Sequence, residues 1–269
     1  DFAITMNNNV VEYSSRILLN TVNKNGYKET GIGTGAWTYR EEVENGVEYY
    51  SYEDNLWAEA YITKDMNDDN SVDWQDAAIE YRNRVEAPQG GEYIKDSLSY
   101  IAFNIGYTQS PFLRTLDTVK KISNYTDGFG QMVLEKGYQA EGHDDSIPDY
   151  GGHIGIRQGG VEDFNTLIEE GAKYNARFGV HINATEYQKD AFQYPDNGSV
   201  NENSAGWNWL DQAYYVDQRA DITSGELFRR LDMLKEDLPD LGWVYVDVYT
   251  GNGWNAHQLG EKINDLGYQ

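Results

Sequence analysis

The chain has 269 residues, is 39% hydrophobic and carries 21 Lys and Arg against 45 Asp and Glu, a formal charge of −24. That length and apolar content suffice for one large domain or two ordinary ones, and the acidity argues against nucleic-acid binding because a phosphate backbone would be repelled. No apolar run of about 18 residues occurs, so no membrane insertion is expected, and the absence of cysteine excludes disulfides and thiolate chemistry.

Asp1 is not followed by a charged and apolar leader, so the start reads as a mature or internal boundary. From Asp1 to about residue 64 the sequence alternates strand-like runs (Val10 to Tyr13, Ser15 to Leu19, Val47 to Tyr52) with turn clusters such as Lys24-Asn25-Gly26. So few strands would leave open edges if they stood alone, so residues 1–64 are expected to be the end of a larger β-sandwich.

Residues 65–92 read as a joint. Asp65, Asn67, Asp69, Ser71, Asp73 and Asp76 fall at positions 1, 3, 5, 7, 9 and 12 of an EF-hand-type loop, a density of oxygen donors that suits a structural Ca²⁺. Asn70 replaces the usual turn glycine, and Asp76 is shorter than the usual bidentate Glu. The competing reading is an acidic solvated loop. A helix is expected from Trp74.

After Ala87-Pro88-Gln89-Gly90-Gly91 the pattern becomes alternating strands and helices. Strands are expected at Tyr100 to Gly106, Gln131 to Tyr138, Phe178 to Ile182 and Gly242 to Tyr249. Helices are expected around Leu113 to Ile122, Val161 to Ala172 and Leu227 to Leu238. The last strand is apolar and aromatic on both parities and so reads as the most buried one, with Asp247 as its anomaly. Three strands finish in polar groups, namely His143, Asp144 and Asp145, then Asn183 and Glu186, then Asp247. Such a pattern marks the C-terminal mouth of an α/β barrel, because structural polar residues should scatter over both ends. The fold class expected is therefore α/β, a (β/α)8 TIM-type barrel of which residues 93–269 hold only the first half. A half barrel has unpaired edges, so either the same parent protein continues past Gln269 and supplies the remaining strands, or they come from another chain or segment.

Carboxylates around an aromatic pocket suit glycoside hydrolysis, with Asp247 as nucleophile. Trp207 and Trp209 lie two apart and would share one side of an extended segment, as a lid over a sugar or as core. His143, Asp144, Asp145, His153, His181 and His257 allow a metal-dependent hydrolase instead, although their spacing matches no compact metal motif.

The segments Gly137 to Asp144, Gly179 to Glu186, Gly206 to Gln212 and Val244 to Tyr249 resemble the catalytic motifs of the endo-α-N-acetylgalactosaminidases, glycoside hydrolase family 101. Asp65 to Asp76 resembles the joint between that family's galactose-mutarotase-like sandwich and its barrel. The resemblance implies a secreted or surface-bound bacterial retaining hydrolase that frees Galβ1-3GalNAc from Ser or Thr of mucin-type O-glycoproteins. It implies Asp247 as nucleophile, Asp144 as the carboxylate on the pocket floor and Trp207 and Trp209 as the lid. His143, His181, Asn183 and Glu186 take supporting binding roles. The acid/base Glu of the family falls, by motif order, just beyond Gln269. A non-catalytic carbohydrate-binding fragment, or another barrel α-galactosidase or hexosaminidase, are the alternatives.

Overall fold

The computed structural model describes residues 4–6, 18–33, 58–60, 62–84, 89–106, 110–250 and 253–269. The strands expected at Val10 to Tyr13 and Val47 to Tyr52 lie outside them. Two compact units divide the chain, one of Asp1–Ala87 with Gly251–Gln258, the other of Pro88–Thr250 with Leu259–Gln269.

In the first unit, β1 (Ile4–Met6) pairs antiparallel with β4 (Ala58–Ala60), and β2 (Leu18–Lys24) with β3 (Tyr27–Gly33). Asn25 and Gly26, both at positive φ, close that hairpin in two residues, as Asn-Gly favours. The acidic loop then leads into α1 (Trp74–Arg84). Its side chains bind its own backbone: Asp65 accepts from the Asn70 amide at 2.8 Å, Asp69 from Ser71 at 2.8 Å and Asp73 from Gln75 at 2.8 Å. Asp76, buried at the start of α1, accepts from Met66 at 2.6 Å and from Asp73 at 2.7 Å, and these amides hold its carboxyl below the usual range.

The second unit is mixed α/β. After the short α2 (Gly91–Lys95), β5 (Ser97–Phe103), α3 (Phe112–Tyr125), β6 (Gly130–Lys136), α4 (Gly160–Ala172) and β7 (Ala176–Asn183) alternate strictly. A three-stranded antiparallel excursion follows: β8 (Glu186–Gln188), β9 (Val200–Asn208) and β10 (Gln212–Val216), in the order β8-β10-β9. Then come α5 (Gln218–Thr223), capped by Asp217 on the Ala220 amide, α6 (Glu226–Asp237), β11 (Trp243–Asp247) and the part of α7 (Gly253–Asp265) from Leu259 onward.

The four parallel strands lie side by side in the order β11-β7-β6-β5. Sequence order and spatial order therefore run the same way, and each neighbour is reached through an intervening helix. The apolar stripe of α4 (Phe164, Leu167, Ile168) and that of α6 (Leu227, Leu231, Leu234) are buried, each side chain contributing roughly 1.5–3 kcal/mol. Phe112 of α3 stacks on Phe164 of α4 with centroids 4.4 Å apart.

β6 and β7, flanked on both sides, are the buried strands. β11 is not, contrary to its apolar sequence: its residues are half-buried and Tyr245 is exposed. The reason is its place at the sheet edge, where β7 pairs one side and, among the described residues, only Gln269 the other. Gln269 donates to the Gly242 carbonyl at 3.0 Å and accepts from the Val244 amide at 3.2 Å. β5, at the opposite edge, exposes Leu98, Ile101 and Phe103.

Candidate active site

Parallel register decides which side chains meet. Tyr245 pairs with His181 and Asp247 with Asn183, so all four share one face, and the Glu135–Val180 pair brings Lys136, one step on, level with His181. Asp247 is the last residue of β11 and Lys136 the last of β6. Gly137 then turns the chain at φ +82°, where a Cβ would overlap the Asn104 carbonyl. The turned segment is fixed by the His143 amide donating to that same carbonyl at 2.9 Å, and it delivers His143 and Asp144 to the strand ends.

His181 Nε2 donates to Asp247 Oδ2 at 3.0 Å, and the Lys136 ammonium lies 3.9 Å from the same oxygen. Oδ1 accepts from the Val248 amide at 3.1 Å and, weakly, from the Tyr245 hydroxyl at 3.4 Å. Burial works against ionising Asp247, but the His181 hydrogen bond, the Lys136 charge and the Val248 amide oppose it, and the carboxyl is held below its ordinary range. The rings of His143 and His181 meet edge-on at 5.0 Å, and His143 Nε2 lies 3.2 Å from Asp144 Oδ2. Burial, helped by Lys136 and His181, pushes His143 down to about 3, and burial also lowers His181. Both rings are thus neutral near pH 7, and His181 binds Asp247 as a hydrogen-bond donor. Asp144 moves the other way, up to about 6, through burial and the charges of Asp247 and Glu186. Two carboxyls with affinities pushed apart can take different roles in one site.

Beside this cluster, β9 carries Trp207, and Trp209 follows in the loop to β10. Their rings stack 6.2 Å apart and 9° from parallel, and both are about half exposed. Glu186 anchors them by accepting the Trp207 amide at 2.9 Å. Gly206 makes room, since a Cβ there would stand 2.6 Å from Glu186 Cδ. Asn183 is likewise committed to backbone, its Oδ1 accepting from the Thr185 amide at 2.8 Å and the Glu186 amide at 3.3 Å. Of the residues singled out in the sequence, then, His143, Asp144, His181 and Asp247 form one cluster, while Glu186 and Asn183 brace the adjoining turn and Trp hairpin.

His143, Asp144 and His181 offer ligand atoms within 4.8 Å of one another, as do Asp145, Asp190 and Asp211. His153 joins neither group: it hydrogen-bonds buried Asp149 at 2.7 Å and stacks on Phe192 at 4.2 Å. Among the described residues, no three acidic side chains of the Asp65 to Asp76 loop come together within that distance. Tyr245, expected from the sequence to help shape the surroundings of Asp247, does lie beside it, whereas sequence reasoning missed Lys136 and Phe103, whose ring lies 5.1 Å from His143. The signal for Lys136 was present, a charged residue just before the glycine that ends a buried strand. No helix among the described residues is long and apolar enough to cross a membrane.

A fold of alternating parallel strands and helices, with an ionised carboxylate and a second, raised one at the strand ends, defines a glycosidase class of site. The comparisons agree. The family described as endo-alpha-N-acetylgalactosaminidase, glycoside hydrolase family 101, matches residues 75–269, and the chain belongs to it. The galactose mutarotase-like fold domain matches residues 1–74. The chain is 43% identical over 240 residues to a Renibacterium salmoninarum protein named "Putative endo-alpha-N-acetylgalactosaminidase", covering 88% of this chain and 16% of that protein. It therefore spans about one sixth of this curated relative's length. In fold it is similar to the alpha-N-acetylgalactosaminidase NagBb of Bifidobacterium bifidum: in its Gal-NHAc-DNJ complex the TM-score is 0.56 at 12% identity, covering 71% of this chain and 37% of that one. A quadruple mutant of the same enzyme gives 0.52 at 12% identity over 64% and 34%.

Proposed function

We propose that the protein carrying this chain is a retaining glycosidase that releases Galβ1-3GalNAc from Ser or Thr of mucin-type O-glycoproteins, with Asp247 as the nucleophile. The observation that carries this reading is the 3.0 Å bond from His181 to Asp247 at the end of a parallel strand, within a chain of the glycosidase family. Asp247 Oδ attacks the anomeric carbon as the bond to the Ser or Thr oxygen breaks, and water then displaces the glycosyl ester. The leaving oxygen takes its proton from a general acid. By the family resemblance this is a Glu on the strand after β11, which lies beyond Gln269. Asp144 and His143 bind sugar hydroxyls, His181 holds Asp247 ionised, and the Trp207–Trp209 pair covers the disaccharide by stacking.

A (β/α)8 barrel completed by strands of the same parent protein is supported by the one-directional strand order and by the pairing of Gln269 along β11. The β-sandwich is supported by the fold family matching residues 1–74. For Ca²⁺ the donor chemistry fits: Asp65, Asn67, Asp69, Ser71, Asp73 and Asp76 supply oxygens, and Asn70 adopts the positive φ, 66°, that the missing glycine would take. The ion would anchor the start of α1 without taking part in the reaction. A mucin substrate accords with a secreted or surface location.

The test is the product released from an aryl α-glycoside of Galβ1-3GalNAc by the full-length protein. Intact disaccharide supports the endo-acting reading. Free galactose or GalNAc alone would replace it with an exo-acting glycosidase.

A further inference from the structure

Within the cluster around Asp247 one cation is built in. Lys136 ends β6, its side chain only 20% exposed, with its ammonium 3.9 Å from Asp247 Oδ2 and 5.7 Å from the centre of the Phe103 ring. Phe103 in turn packs on His143 at 5.1 Å, and His143 on His181 at 5.0 Å, so the ammonium is enclosed by the same side chains that make the site. The titratable groups its charge reaches are His143 and Asp144 from the segment after β6, His181 from β7 and Asp247 from β11, with Glu186 of β8 acting on Asp144 and Tyr245 of β11 beside His181. Glu135, its neighbour on β6, has the opposite parity and is buried on the other face of the sheet.

We propose that Lys136 is an electrostatic positioning residue, the fixed cation that keeps Asp247 anionic, holds the His143–His181 pair neutral and occupies the charge balance that a metal ion would otherwise bring to His143, Asp144 and His181. This rests on the glycosidase reading for its purpose, but not for its physics. One ammonium does opposite things to its neighbours: it favours the charged carboxylate and disfavours a second or third positive charge on the rings. Its charge acts in that direction on all four groups, lowering His143, His181, Asp144 and Asp247 alike. A neutral His181 can donate its one Nε2 proton to Asp247 without neutralising it by transfer. A divalent ion at the His143–Asp144–His181 trio would meet this ammonium, so the trio serves hydrogen bonding to sugar hydroxyls.

The test uses the full-length protein with Lys136→Met, Lys136→Gln and Lys136→Arg. Deuterium exchange at the histidine C2 position, read peptide by peptide by mass spectrometry over a pH series, reports the ring pKa of His143 and His181 without needing substrate. Both neutral variants should raise the two ring values by at least about 0.5 pH unit, and Lys136→Arg should leave them near wild type. The acid limb of kcat/KM on the aryl disaccharide should move to higher pH by a similar interval in the neutral variants, a loss of about threefold or more on that limb, and return in Lys136→Arg. Unmoved ring values in a folded Lys136→Met or Lys136→Gln protein would overturn the proposal, whether or not the wild type cleaves the glycoside. Moved ring values together with a wild type that releases no sugar would support the charge role and overturn the glycosidase reading instead.

Discussion

His181 Nε2 lies 3.0 Å from Asp247 Oδ2, and the register of β7 with β11 makes that contact inevitable, since Asp247 sits one alternation beyond the residue opposite His181. The bond is a main reason why Asp247 stays ionised despite its partial burial. His181→Phe removes the donor and keeps the ring packing against His143 and Tyr245. Hydrogen bonds to charged groups contribute about 1.5–3 kcal/mol, so kcat/KM should fall roughly tenfold to a hundredfold. Because the folded-state pKa of Asp247 would rise, the loss should be largest at acid pH. A pH–rate profile with an unmoved acid limb would mean that His181 does not govern the nucleophile.

Glu135 is fully buried on β6 with no well-formed hydrogen bond on either carboxyl oxygen, and burial pushes it up to about 8, the Thr115 hydroxyl alone acting the other way. A carboxyl whose folded pKa lies above its unfolded value binds more protons in the native state. Stability is therefore lost as pH rises from about 4.5 to about 8 and levels off above. Glu135→Gln, which cannot ionise, should match wild type near pH 4.5 and exceed it at pH 9 by a few kcal/mol, at about 1.4 kcal/mol per pKa unit. Urea unfolding at the two pH values checks this, and equal stability at pH 9 would mean that Glu135 finds a partner.

Gly206→Ala places a methyl 2.6 Å from Glu186 Cδ and so must displace the carboxylate that holds the Trp207 amide. Overpacking of this kind costs about 1–3 kcal/mol. If the stacked pair covers substrate as proposed, the expected effect is a raised KM with a smaller change in kcat, along with altered Trp fluorescence. An unchanged KM would remove the lid role.

Calcium should raise the melting temperature of the full-length protein, and a chelator should reverse the gain. Asp76→Ala should abolish the response, since Asp76 ties the loop to α1 through Met66 and Asp73. Steady-state activity below the melting transition should be unaffected by the metal. A chelator-sensitive kcat at low temperature would give the ion a catalytic part instead.

The strand and helix alternation from Gly91 onward was legible because each element carries a strong period and the turns are marked by glycine. His143, Asp144 and Asp247 were legible because polar residues at the ends of successive strands have few structural explanations, whereas His181, inside its strand, was marked by the family resemblance of Gly179 to Glu186. Two things were not. The antiparallel excursion β8, β9 and β10 hides in a polar, Asn- and Ser-rich stretch with register shifts between Gln212 and Val216, so no alternation announces it. The exposure of β11 could not be read from its residues either, because an apolar strand at the edge of a four-stranded sheet has the same composition as one in the middle. Lys136 was overlooked for a related reason: its importance lies in the register with His181, and register is a property of pairing that a single strand does not carry.

The most direct test of the central claim is Asp247→Ala in the full-length protein, assayed on the aryl disaccharide with and without azide. The expected result is a loss of several orders of magnitude in kcat/KM, consistent with removal of a nucleophile. Azide, small enough to enter the space left by the carboxylate, should restore turnover and give a glycosyl azide of inverted anomeric configuration. Near-wild-type release of disaccharide by Asp247→Ala without azide would contradict the assignment of Asp247 as the nucleophile.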